Sequence, residues 1–74
     1  MKTFNISQLD RDGDTIRNIV TNAHGRIQAL QIARVWLNNA RAHEMRSTYD
    51  RDNCIDDIML DGKLIGMVTL LDED

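Results

Sequence analysis

The sequence predicts an α+β fold, one helix packed on an antiparallel sheet in the order ββαβββ. Three observations carry that prediction. Asp12-Gly13 and Asp61-Gly62 each stand between β-rich runs, and glycine accepts the positive φ that tight hairpin turns demand. The stretch from Arg26 to Ala42 (RIQALQIARVWLNNARA) contains neither glycine nor proline and repeats its apolar residues at helical spacing. The remaining apolar runs are short, β-branched or alternating, as strands require. The 74 residues read as a single domain, 1–74, close to the lower limit at which one apolar core outweighs chain entropy.

Thr3 to Ile6 alternates and opens the first strand. The segment after it, Leu9 to Ile16 (LDRDGDTI), begins like a calcium loop, with Asp10, Asp12 and Asp14 at positions one, three and five. The rest of that loop is missing: position six is Thr15 where glycine is required, position eight is Arg17 where an apolar residue belongs, and position twelve is Thr21 where glutamate should close the cage. The segment is therefore expected to be a hairpin bend that holds no metal. Thr15 to Thr21 (TIRNIVT) fits a second strand, although Ile16, Ile19, Val20 and Ala23 also fit helical spacing; the short run and the preceding turn favour the strand.

Asn22 offers a helix N-cap. On a wheel at 100° per residue, Ala29, Leu30, Ile32, Ala33, Trp36, Leu37 and Ala40 share one face, which makes Trp36 the expected large anchor of the core. The opposite face holds Gln28, Gln31, Arg34, Asn38 and Arg41, interrupted by the apolar Ile27 and Val35. His43 to Asp50 (HEMRSTYD) suggests a third strand and Arg51 to Asn53 a loop. Cys54 to Leu60 and Lys63 to Leu71 complete a hairpin around Asp61-Gly62. That turn sets Leu60 opposite Lys63, Ile58 opposite Ile65 and Asp56 opposite Met67. Gly66 inside the last strand marks a bulge or a close backbone approach. Asp72, Glu73 and Asp74 read as a solvated end that stops further pairing.

The chemistry that would define an enzyme is not legible. His24 and His43 have no cysteine or histidine at metal-ligand spacing. The glycines 13, 25, 62 and 66 are scattered singly and form no phosphate loop. Cys54, the one cysteine, cannot form an internal disulfide, which suits a reducing compartment, and it reads as a half-buried thiol at a strand start. No apolar run reaches membrane-spanning length and no signal-peptide pattern opens the chain. A non-enzymatic, cytoplasmic protein without cofactor, metal or membrane contact is expected.

Charge is unevenly placed. Residues 1 to 14 sum to −1, residues 15 to 49 to +4 and residues 50 to 74 to −6, giving the net −3. The acidic third suggests a docking surface formed by Asp50, Asp52, Asp56, Asp57 and Asp61, complementary to a protein with a basic surface. The basic middle supports an alternative, a small nucleic-acid-binding regulator contacting phosphates through Arg34 and Arg41 on the outer helix face. Negative net charge and few aromatics weigh against direct nucleic-acid contact. Ile27 and Val35 belong to that same alternative interaction face.

The layout of strand, DRDGD turn, strand, RIQALQIARVWL helix, strand and DGK hairpin resembles that of small phage-borne anti-CRISPR inhibitors. The resemblance is architectural and compositional and covers nearly the whole chain. It implies an inhibitor that binds a bacterial nucleic-acid-handling defence complex, such as a CRISPR effector subunit, by occupying a basic groove. It carries over no functional residue and leaves the oligomeric state open, a homodimer included.

Overall fold

The structure is a computed structural model that describes residues 1–73. Its elements are β1 (Lys2–Leu9), β2 (Thr15–Ala23), α1 (Arg26–Asn38), a 3-10 segment (Asn39–Glu44), β3 (Arg46–Asp50), β4 (Ile55–Leu60) and β5 (Lys63–Glu73). The strands form one five-stranded sheet in the order β2-β1-β5-β4-β3, and every neighbouring pair is antiparallel. The first and last strands thus lie side by side, and α1 covers one face.

Alternation along the strands determines which side chains meet the helix. Phe4 and Ile6 of β1 are opposite Leu70 and Val68 of β5, and all four join Ile58, Met45, Ala23 and the helix residues Ala29, Leu30 and Ala33 in or against the core. The other face carries Thr3, Asn5 and Ser7, opposite Asn22, Val20 and Asn18 of β2. Alanines on the buried side of α1 let the helix lie close to the sheet. At Gly66 the approach is closest: a Cβ there would sit 2.8 Å from Leu37 Cδ1 and 2.9 Å from the Ser7 carbonyl oxygen.

The LDRDGDTI segment is the expected bend. Asp10 donates its N–H to the Asp14 carbonyl at 2.9 Å and accepts from Gly13 at 3.1 Å, while its Oδ1 accepts the Asp12 and Asp14 N–H groups at 2.9 and 3.0 Å. Gly13 takes φ +85°. The second turn has φ +54° at Asp61 and +75° at Gly62, the signature of a type I′ hairpin.

Several expectations need correction. Asn22 belongs to β2, where its Oδ1 accepts from the Thr3 hydroxyl, and Gly25 is the N-cap instead. Gln28 reaches back to the His24 N–H at 2.7 Å and closes the helix start. The helix stops at Asn38, whose backbone (φ −163°, ψ 93°) is extended, because consecutive asparagines are weak helix formers; Ala40 is consequently exposed. His43 and Glu44 lie in the 3-10 segment rather than in β3. Leu60 does face Lys63, but a bulge at Ile58/Met59 places Gly66 opposite Ile58 and Val68 opposite Asp56. The bulge brings the side-chain-free residue beneath Leu37. Asp72 and Glu73 pair with Thr3 and Lys2, so β5 continues through the expected solvated end; Asp74 lies outside the described residues. Trp36 is only partly buried, and the fully enclosed large side chains are Ile6, Ile58, Val68 and Asp56.

Candidate interaction surface

The five aspartates of the expected acidic surface do not share one surface. Asp56 faces the helix with 2% of its surface exposed, and its Oδ2 accepts from Arg26 Nε at 2.7 Å. Asp57, its neighbour in β4, points to the opposite face. Asp50 closes the β3-β4 turn, accepting from the N–H of Asp52 and from both the N–H and side-chain amide of Asn53; the Asn53 bond holds its carboxyl below the usual range. Asp52 is exposed in that turn. Asp61 lies at the far hairpin, bonded to Arg41 at 2.8 and 2.9 Å. The strand between Asp50 and Asp61 makes the two ends about 20 Å apart.

The arginine stripe is dispersed for a related reason. Because α1 ends at Asn38, Arg41 leaves the helix face and chelates Glu44 and Asp61, which raises its own pKa and lowers both carboxyls. Arg34 is half-buried beside Gln31, Val35, Ala42 and His43, with its Nε buried and unpaired. Arg26 lies 4.1 Å from the Tyr49 ring centroid, Arg17 4.2 Å from that of Trp36. No continuous row of free guanidinium groups faces outward along α1.

What the helix does present is apolar. Ile27 is 63% and Val35 53% exposed; eight residues apart, they are about two turns apart along α1 and about 80° apart around its axis. Val35, with Ile19 of β2 and Gln31, Ile32 and Trp36 of α1, lines a shallow groove of about 490 Å³. Arg17 roofs one side, donating to Gln8 Oε1 and, at 3.1 Å, to the Trp36 carbonyl. Ile16 and Val20 of β2 are also exposed, at 59% and 60%, but Val20, opposite Asn5, belongs to the sheet face away from α1. The sequence marks Ile27 and Val35 but not the groove, because Ile32 and Trp36 on the helix stripe read as core, and both do pack against it in part.

A smaller cavity of about 170 Å³ lies at the other end of the helix, lined by Phe4, Arg26, Tyr49, Cys54, Asp56 and Val68 among others. Asp56 Oδ1 is buried there without a partner. Cys54 has φ +55° and donates its thiol to the Arg51 carbonyl at 3.7 Å; burial, then the neighbouring thiol, pushes the Tyr49 hydroxyl up. Neither histidine lines this cavity, so the Cys54 thiol has no imidazole base beside it there. Among the described residues no three His, Cys, Asp or Glu side chains cluster as a metal site, and no helix is long and apolar enough to cross a membrane.

Comparison with known proteins returns no matching family model, no matching curated protein and no matching solved structure. The functional reading therefore rests on the geometry of this chain.

Proposed function

We propose that the protein is a small non-enzymatic protein-binding module, of inhibitor or regulator type, that docks through the apolar surface of α1 and the groove beneath it. The observation that carries this reading is the exposed Val35 at a groove lined by Ile19, Ile32 and Trp36, with the exposed Ile27 two turns away on the same helix. Aliphatic side chains left in water forgo burial worth about 25 cal/mol per Å², and a contiguous patch of them marks a contact surface more often than chance exposure does. Trp36, with Arg17 stacked on it, supplies the aromatic and arginine pair that dominates many interface centres.

The acidic docking surface inferred from composition is set aside in favour of this apolar one, since Asp56 and Asp61 already hold Arg26 and Arg41. A bacterial nucleic-acid-handling complex, the target that the anti-CRISPR resemblance implies, is the first partner to test. Capture of partners on the immobilised protein, with and without nuclease, tests the reading. The bound protein should survive nuclease and be lost from the Ile27→Asp/Val35→Asp variant. Loss on nuclease treatment alone, with the variant unaffected, would favour the nucleic-acid alternative.

A further inference from the structure

The proposed surface ends at a free sheet edge. β2 is the outermost strand on that side, and its nine residues span about 30 Å. Natural edges are usually guarded by charge, proline, bulges or brevity. β2 contains no proline and a single charged residue, Arg17, and its register shift lies at its very start, at Gln8/Leu9. The opposite edge, β3, has five residues bounded by Arg46 and Asp50. One edge is guarded and the other is open.

The side chains along β2 make the open edge selective. Arg17, Ile19 and Thr21 are opposite Gln8, Ile6 and Phe4, so they point to the helix face, where Ile19 borders the groove. Arg17 contacts the Gln8 amide oxygen, the Trp36 carbonyl and the Trp36 ring. These partners are all neutral, and among the described residues no carboxylate pairs with the guanidinium.

Resting on the proposed function, we propose that the partner presents an extended segment which adds to β2 as a sixth strand. A large apolar residue of that segment enters the groove beside Ile19, and an acidic residue two positions away meets Arg17. Backbone hydrogen bonds supply the general affinity and alternate side chains the selectivity, as in other strand additions. The spacing of two follows from the pleat, which returns a side chain to the same face at every second residue. A second copy of this chain fits less well: in a symmetric antiparallel pairing centred on Ile19, Arg17 would meet Thr21, leaving the charge without an anion.

The test uses a displayed library of random decapeptides selected on the intact protein, followed by NMR titration of the 15N-labelled protein with selected sequences. Expected are peptides with an acidic residue two positions from a large aliphatic or aromatic one, cross-strand contacts confined to residues 15–23, and loss of binding when alternate peptide nitrogens are methylated. Truncating the apolar residue to alanine should weaken binding about tenfold. Arg17→Glu should weaken it about fivefold, with recovery when the peptide acid becomes lysine. Selected peptides that shift only α1 resonances, with N-methylation harmless, overturn the strand addition and leave the proposed function standing. A selection that yields no binder directed to β2 also overturns it, as does sedimentation showing β2 closed by a second copy. Val35→Asp that leaves peptide affinity unchanged would instead count against the groove and against the reading beneath it.

Discussion

Arg26 Nε lies 2.7 Å from Asp56 Oδ2, and the two partners are unequally buried: the arginine side chain keeps 39% of its surface, the aspartate 2%. Removing the arginine strands a carboxylate within the protein, whereas removing the aspartate releases a guanidinium that can turn toward water. Arg26→Ala is expected to cost about 3 kcal/mol and Asp56→Ala clearly less. Replacing both by apolar residues of similar volume should recover much of the loss. Urea denaturation of the three variants checks the order, and equal costs for the two single variants would contradict it.

Trp36 and Ile58 invert the ranking that composition alone suggests. Ile58 has no exposed surface, while Trp36 borders an open groove under Arg17. Ile58→Ala should cost about 2–4 kcal/mol and Trp36→Ala less, despite the larger side chain removed. Thermal melts of the two variants decide the order.

Asp10 organises the first bend through its Oδ1, which already accepts two backbone N–H groups. Asp10→Ala is expected to destabilise by about 1 kcal/mol, and Asp12→Ala by less. Melting temperatures in millimolar calcium and in chelator should coincide. A tight site at a hundredfold saturation would add about 2.7 kcal/mol, so a clear rise with calcium would contradict the turn assignment.

The contacts of Arg41 give a signed pH dependence. Its hydrogen bonds hold the Glu44 and Asp61 carboxyls below their ordinary values, so the folded chain binds fewer protons than the unfolded one as pH falls through about 4. The stabilisation is fully present above that range and is lost as pH drops through the depressed folded values. In a carboxyl NMR titration Glu44 and Asp61 should titrate low, and Arg41→Ala should return both to ordinary values while Asp50, held by Asn53, stays low.

The hairpins and the helix were legible because each has a local cause. Asp61-Gly62 needs positive φ whatever surrounds it, and the Ala29/Leu30/Ala33 stripe is fixed by helical geometry. What was not legible depends on neighbours distant in sequence. The bulge at Ile58/Met59 sets Gly66, rather than a larger residue, opposite Ile58 and beneath Leu37, and the early helix end at Asn38 sends Arg41 to Asp61 rather than along the outer face. The candidate surface was half legible: Ile27 and Val35 broke the polar face visibly, but Trp36 on a helix stripe looks the same whether a sheet covers it fully or only in part. That the aspartates are not gathered on one face was not legible, because linear charge density does not record that β4 turns Asp56 inward and Asp57 outward.

The account turns on which surface meets the partner, and one set of affinities measures that directly. Ile27→Asp/Val35→Asp should fold normally, since both side chains are exposed, yet bind the captured partner at least about tenfold more weakly at low and at high salt, as loss of a buried apolar centre does. Asp52→Lys/Asp57→Lys, which spares the buried Asp56, should change affinity little. The opposite result, apolar variants that bind normally and aspartate reversals that slow association in a salt-dependent way, would contradict the apolar docking surface and return the contact to the acidic residues.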